Sequence, residues 1–245
     1  MKAFYLNRLT GSDRQLYMAA DDALGCRRMR SVLPAAVSTG RLLTAARYVT
    51  LDHPGYYWSK GDFSAAVSRD GEHLLIRWDD LCAGQLTEET DRIIFSGIEQ
   101  MRLDRYSSVR DRVGFLQEWF LRNVRYEWGR DRQEQRRAQT PVSVFMERRS
   151  ACLGFARAAK MALDLYGTDC IIVLGRLFGD TRYDHAWNLV RDGDCFRHVD
   201  FTIRYPQFES LWRACYPDRP QSCLLLPFGD IAKSHQTASG LSYPE

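Results

Sequence analysis

The 245-residue sequence lacks the features that identify membrane, secreted and repeat proteins. No run of 18 or more apolar residues is present, and the first residues become polar before an apolar signal region develops. Internal repeats and low-complexity tracts are also missing. The net charge of +3 is too small to indicate a nucleic-acid-binding domain. We therefore expect a globular cytoplasmic protein that binds neither nucleic acid nor membrane.

The cysteine pattern excludes another class of protein. Seven cysteines are scattered along the chain, with no Cys-x-x-Cys motif and no short Cys/His spacing of the kind that binds structural zinc. We therefore expect no metal and no cofactor. Most of these residues are expected to be buried thiols in a reducing compartment, where a free cysteine packs as a small hydrophobic side chain.

The chain is expected to divide into an N-terminal helical and β-hairpin region of unknown role, residues 1–105, and a core with a C-terminal cover segment, residues 106–245. Between residues 122 and 149 there are eight arginines and four acidic residues. This stretch is either a docking surface for an acidic partner or a solvated loop and helix face. The second interpretation is favoured, because dense charge is first a solubility feature. The predicted N-terminal elements are two short helices within 10–50 broken near Pro34 and Gly40, a hairpin turning at Asp70-Gly71, and amphipathic helices beginning near Thr87 and Val109.

Cys152 lies in a sequence context that suits a nucleophile. Ser150 is predicted to cap a helix that ends at Gly167, so Cys152 would lie in its first turn. A thiol attacks acyl carbons as the thiolate, and the unpaired N–H groups and macrodipole of a helix start favour negative charge. The Cys152 backbone N–H would supply part of an oxyanion hole, and Gly154 would leave space for a substrate backbone.

A predicted hairpin brings a histidine and an acid together. A buried strand over residues 170–175 precedes the strand that begins at His185, and Asp192-Gly193 is typical of a two-residue type I′ turn. In that register the residue numbers of each cross-strand pair add up to 385, so His185 lies directly opposite Asp200. The Cβ atoms of such pairs are about 4.5–5.5 Å apart, within reach of a hydrogen bond.

These three residues suggest a catalytic triad. Cys152 would be the nucleophile, His185 the general base and acid, and Asp200 the residue that orients the imidazole. His198 is a competing base on the same face, but it is predicted to pair with Trp187 instead of an acid. The other histidines, His235 among them, are expected to be structural or exposed, and the chain beyond Pro206 to be irregular cover. Further candidates for oxyanion or substrate contacts are Tyr126, Trp128, Gln139, Gly154 and Trp187.

At these residues the sequence resembles the transglutaminase-like superfamily of cysteine enzymes. The matching segments are Ser150-Ala151-Cys152-Leu153-Gly154, His185-Ala186-Trp187 and Val199-Asp200-Phe201-Thr202, within residues 108–205. It departs from the family pattern at Ser150-Ala151, where a glycine usually precedes the cysteine, and at Phe201, which replaces a proline. The resemblance implies an α+β fold, a permuted relative of papain-like proteases with helices packed on an antiparallel sheet. The first half resembles the leading regions of some bacterial members.

The expected activity follows from a thiol nucleophile. A cysteine-dependent hydrolase or acyltransferase would act on peptide or protein amide bonds through a thioester. Hydrolysis is favoured over glutamine–lysine crosslinking, because the sequence shows no calcium-loop motif. Two alternatives remain open: a small-molecule acyltransferase with the same triad, and a non-catalytic interaction module that retains the fold.

Overall fold

A computed structural model describes residues 3–28, 30–33, 37–57, 65–67, 73–76, 85–178, 184–238 and 243–244. The chain forms two compact units, Met1–Ile93 and Ile94–Glu245, which divide inside a helix. The domain division expected after residue 105 stays a prediction. Within the described ranges, no helix has both the length and the apolar character needed to cross a membrane.

The first unit combines helices with a small antiparallel sheet of strand order β1-β3-β2. The pairing of β2 with β3 confirms two strands of the predicted hairpin, whose turn at Asp70-Gly71 lies outside the described residues, as does Pro34. The two helices predicted within 10–50 are confirmed, and the second begins at Thr39, next to Gly40, where the Ser38 side chain caps it. The elements are α1 (Gly11–Gly25), β1 (Arg30–Val32), α2 (Thr39–Asp52), β2 (Ala65–Val67), β3 (His73–Ile76) and α3 (Gln85–Gln100), which continues into the second unit.

The second unit packs helices on a five-stranded antiparallel sheet of order β10-β6-β7-β8-β9, which confirms the α+β prediction. Separately, β4 and β5 form a short parallel pair. Its helices are α4 (Val109–Asn123), α5 (Arg132–Arg137), α6 (Cys152–Leu165), α7 (Glu209–Cys215) and α8 (Phe228–Ile231), with a π-helical turn at Ser143–Glu147 and 3₁₀ turns at Leu103–Arg105 and Pro206–Phe208. Its strands are β4 (Arg125–Tyr126), β5 (Arg149–Ser150), β6 (Cys170–Leu177), β7 (Asp184–Asp192), β8 (Cys195–Asp200), β9 (Cys223–Leu226) and β10 (His235–Thr237).

Helix α6 packs closely on strands β6 and β7. Its buried face is rich in alanine, so the helix backbone can approach the sheet, where the Asn188 side chain donates to the Ala156 carbonyl at 3.0 Å. The helix ends as predicted at a left-handed glycine, Gly167, with φ +75°. The Thr168 N–H bonds back to the Leu163 carbonyl at 2.9 Å, which is the pattern of a Schellman cap.

The β7–β8 register differs from the prediction. Observed partners, such as Asp192 with Cys195, sum to 387 instead of 385, so the two-residue loop is Gly193-Asp194. Gly193, at φ +63°, occupies the first central position, where a type II′ turn favours glycine. The error shifts one strand by two residues, which preserves the side-chain faces. His185 and Asp200 therefore share a face, but they are diagonal neighbours and not a direct pair.

The C-terminal segment is not irregular cover, as had been expected, because β9 and β10 add to the two edges of the sheet. A β-bulge where β8 pairs with β9 includes Leu225 at φ +57°. At the other edge, a Cβ on Gly175 would lie 2.1 Å from the Gln236 carbonyl oxygen and 2.7 Å from the Trp187 ring. Glycine at position 175 is therefore required for β10 to pair closely with β6.

Candidate active site

Cys152 is the first residue of α6 and is 5% exposed. The residue at the N-cap is Ala151, in extended conformation, and no side chain caps the helix. The prediction that Ser150 caps it is wrong. Ser150 pairs in β5, and its hydroxyl instead donates to the Ala138 carbonyl at 2.9 Å. The first turn of α6, which begins at Cys152, therefore has no N-cap side-chain oxygen.

Gly154 does not provide the open space expected for a substrate. A Cβ at this position would lie 2.2 Å from the Ser150 Oγ and 2.5 Å from the Ala138 carbonyl oxygen. Both atoms belong to the segment that packs against the first turn of α6. The absence of a side chain at Gly154 thus lets this segment approach α6, and it positions Cys152 indirectly.

His185 lies between the thiol and the carboxylate. Its Nε2 lies 2.6 Å from the Asp200 Oδ2, so Nδ1 is the nitrogen that is left to interact with the Cys152 side chain. Burial by itself lowers the pKa of His185. The negative charges of Asp200 and Cys152 and the hydrogen bonds to both outweigh burial and raise this pKa to about 10. The imidazole is therefore held in its charged form next to the sulfur.

Asp200 accepts four hydrogen bonds in a fully buried position. Its Oδ2 accepts a hydrogen bond from His185 and another from the Nε2 of His235 at 3.0 Å. Its Oδ1 accepts from the Thr202 backbone N–H at 2.8 Å and from the Thr202 hydroxyl at 2.7 Å. Burial alone raises the pKa of this carboxyl, but the charge of His185 and the hydrogen bonds from both imidazoles lower it below its ordinary value. Asp200 is thus a permanent, fixed carboxylate.

His198, the competing base, has a different environment. Its Nδ1 accepts the indole N–H of Trp187 at 2.9 Å, and burial, followed by the proximity of His235, lowers its pKa to about 4. Trp187 is 1% exposed and its ring stacks on His185 with 6.0 Å between centroids. Both residues therefore support the site from within the core, and His185 is the histidine that contacts Cys152.

Tyr126 is the oxyanion candidate that the structure brings to the thiol. The parallel pairing of β4 with β5 places it beside the start of α6, where its hydroxyl interacts with both the side chain and the backbone N–H of Cys152. Burial, then the charges of Cys152 and Asp200, raise the pKa of this phenol well above its ordinary value. The hydroxyl consequently keeps its proton and can donate it.

The two other oxyanion candidates have different surroundings. Trp128 is 44% exposed, and Gln139 accepts the Arg157 guanidinium at 2.9 Å through its backbone carbonyl. Aromatic rings that the sequence analysis did not select cover the site instead. The Phe208 ring lies edge-on to Tyr126 at 5.1 Å and to His185 at 6.3 Å.

His235 is the site residue that sequence reasoning missed. It was expected to be structural or exposed, yet it is buried and its Nε2 bonds Asp200. Over the described ranges, His185, Asp200 and His235 are the residues whose ligand-type atoms are close enough together to hold a metal ion. Their separations of 2.6 and 3.0 Å are hydrogen-bond distances, with two imidazole nitrogens on one carboxylate oxygen. The cluster is therefore a hydrogen-bond network.

Comparisons with known proteins concern the family and the fold. Residues 100–201 match the family model of the Transglutaminase-like superfamily, the resemblance predicted from the sequence. A crystal structure of a TGase is 16% identical, with a TM-score of 0.43, and the match covers 71% of this chain and 50% of that one. A proposed cysteine protease from Cytophaga hutchinsonii is 16% identical, with a TM-score of 0.36, and the match covers 61% and 49%. This chain thus spans about half the length of each structure. No curated protein matches the sequence.

Proposed function

We propose that the transglutaminase-like core at residues 100–201 supports acyl transfer, with Cys152 attacking the carbonyl carbon of a peptide or protein amide. His185 acts as general acid and base, and Asp200 orients it. The observation that carries this proposal is the position of His185, which hydrogen-bonds Cys152 and lies 2.6 Å from Asp200. A thiol, an imidazole and a carboxylate in contact meet the geometric requirement for an activated nucleophile.

The reaction proceeds in two balanced steps. The Cys152 sulfur bonds to the carbonyl carbon, the C–N bond breaks, and His185 gives its proton to the departing amine. In the second step water attacks the thioester and His185 takes a proton from that water, while the carbon–sulfur bond breaks. This releases the carboxylic acid and returns Cys152 as the thiolate paired with protonated His185. Hydrolysis needs only water as the acceptor and is the simpler outcome, whereas crosslinking requires an amine to compete for the same thioester.

The Cys152 backbone N–H and the Tyr126 hydroxyl supply the two oxyanion donors. Both groups lie next to the Cys152 sulfur, so they could donate to the carbonyl oxygen as it gains negative charge during attack. The substrate oxygen would replace the resting interaction between the Tyr126 hydroxyl and the Cys152 backbone N–H. The ring of Phe208 lies over the same region and would contact the residue on the acyl side of the scissile bond.

The proposal is tested by iodoacetamide alkylation of each cysteine between pH 4 and pH 9, followed by mass spectrometry. A thiolate paired with an imidazolium reacts at acidic pH, so Cys152 should react fastest near pH 5 although it is only 5% exposed. His185→Ala should slow Cys152 at that pH by at least about tenfold. The exposed Cys26 provides an internal reference in every sample.

His198→Asn is the matched control variant, because it replaces a buried histidine on the same sheet face and keeps an acceptor for the Trp187 indole N–H. It should leave the alkylation of Cys152 unchanged. If Cys152 reacts at pH 5 no faster than Cys26, the acyl-transfer proposal is wrong and a non-catalytic module is favoured. Competition between water and added glycine ethyl ester for the acyl-enzyme then separates hydrolysis from amine transfer.

A further inference from the structure

We propose, on the basis of the acyl-transfer function above, that His235 is a positioning residue of the site. From strand β10 it donates its Nε2–H to the Asp200 Oδ2 and so fixes the carboxylate that orients His185. The Nε2–Oδ2 distance is 3.0 Å, and the His235 side chain is fully shielded from solvent. His235 lies outside the segment that matches the family model, so the C-terminal part of the chain completes the site.

The ionised Asp200 sets the tautomer of His235, because a carboxylate can only accept a hydrogen bond. The His235 Nδ1 lies 2.7 Å from the Ser234 hydroxyl, which lies 3.0 Å from the Tyr216 hydroxyl. Tyr216 in turn donates to the Asp230 carbonyl at 2.6 Å. The ring hydrogen is therefore on Nε2 and faces Asp200, and Nδ1 of the neutral ring accepts a hydrogen bond from the Ser234 hydroxyl. Burial lowers the pKa of His235, so the ring donates as a neutral imidazole.

His235 reaches this position because β10 packs closely against a glycine of β6. Strand β10 pairs with β6, and Gly175 lies between the Gln236 backbone and the Trp187 ring without a side chain. The Trp187 ring then contacts the His235 ring edge-on, with 4.9 Å between centroids. The imidazole is therefore fixed both by its neighbours and by its hydrogen bonds at each nitrogen.

The two imidazoles on Asp200 have different tasks. His185 contacts Cys152 and carries the positive charge, whereas His235 bonds Ser234 and stays neutral. A carboxylate with a single partner on Oδ2 could rotate or shift along that hydrogen bond. The second donor on the same oxygen, together with Thr202 on Oδ1, fixes the plane of the carboxylate and hence the direction of the His185 ring.

Two substitutions separate donation from packing. His235→Gln retains an N–H donor near the position of Nε2, whereas His235→Leu is apolar and of related size. The rate constant for acylation by 4-nitrophenyl acetate should fall roughly 10- to 100-fold in His235→Leu, with little change in ester concentration at half-saturation. It should return to within about threefold of the parent in His235→Gln. Gln236→Leu, on the exposed face of β10, is the matched control and should have no effect.

A second readout does not depend on activity. The proton in the 2.6 Å bond between His185 and Asp200 should give a far-downfield ¹H NMR signal. That signal should shift or broaden in His235→Leu and recover in His235→Gln. Equal rates and signals in both variants would overturn the positioning role. If the parent protein is not acylated, the acyl-transfer proposal fails and the NMR comparison alone decides the role of His235. If His235→Leu does not fold, Ser234→Ala replaces it. We expect a smaller decrease of the acylation rate constant in Ser234→Ala, and an unchanged rate constant would count against the proposal.

Discussion

Removal of the Tyr126 hydroxyl is the sharpest test of the proposed oxyanion hole. Tyr126→Phe deletes one oxygen and preserves the ring, which stacks parallel to Phe155 at 6.2 Å and lies edge-on to Phe208 at 5.1 Å. The variant therefore keeps the aromatic packing around Cys152. What it loses is a hydroxyl that hydrogen-bonds the sulfur and the backbone N–H of Cys152.

The magnitude follows from the number of donors that remain. One of two oxyanion donors is lost, and in other acyl-transfer sites such a loss reduces the rate of the chemical step by about 10²- to 10³-fold. The cost in folding stability is much smaller, about 0.5–1.5 kcal/mol for one hydrogen bond. Alkylation of Cys152 by iodoacetamide generates no oxyanion, so its rate should change by less than about threefold.

The assay compares acylation by 4-nitrophenyl acetate with alkylation by iodoacetamide in the same preparations. Tyr205→Phe is the matched control, because it also removes a buried hydroxyl, which here bonds the Val124 carbonyl at 2.7 Å. Its ring is 5.9 Å from that of Tyr126, so general disturbance of the aromatic cluster would appear in both variants. Loss of acylation in Tyr126→Phe alone supports the donor role. Unchanged acylation in Tyr126→Phe, or equal losses in both reactions, would refute it.

Two further predictions concern stability. Because the pKa of folded His198 is about 4 against 6.5 unfolded, the unfolded chain binds more protons between these values, and stability falls as pH drops from 6.5 to 4. In His198→Asn, the decrease in the free energy of unfolding between pH 7 and pH 4 should be smaller by about 3 kcal/mol, as measured by urea unfolding. An equal decrease in parent and variant would contradict this prediction. Gly154→Ala should destabilise the protein by about 1–3 kcal/mol, because its Cβ meets Ser150 and the Ala138 carbonyl. Gly114→Ala in α4, where the added Cβ meets no atom within 4 Å, should stabilise it by up to about 1 kcal/mol, and similar melting temperatures for the two variants would count against this.

The elements that carry the candidate triad could be predicted because their signals are local. Gly167 ends α6 through its positive φ, and the continuous apolar run from Cys170 predicts β6. The register error at Gly193 shows where local signals stop, since a glycine between two aspartates fits either of two turns. The two possible loops shift the pairing of β7 with β8 by two residues. A two-residue shift leaves the side-chain faces unchanged, so His185 and Asp200 share a face in either register.

The position of Ser150 illustrates a second limit. Serine before a helix is typical of an N-cap, yet here its hydroxyl donates to the Ala138 carbonyl and accepts no helix N–H. That carbonyl comes from a segment folded against α6 by the parallel pairing of β4 with β5, which also delivers Tyr126. Because the pairing involves two residues in each strand, no periodicity in the sequence reveals it. Tyr126 could therefore be named as a candidate but not distinguished from Trp128.

The position of His235 next to Asp200 could not be predicted from the sequence, and Gly175 shows the physical reason. The three-residue strand β10 has too few positions to show alternation, and Asp200, to which His235 bonds, is 35 residues away in the sequence. The information is instead at Gly175, in the middle of an otherwise apolar strand, where a missing side chain marks the close approach of another backbone. That backbone is β10, so the residue that admits the strand and the residue that holds Asp200 depend on one another. Enlarging Gly175 should consequently displace His235 from Asp200 without touching either of them.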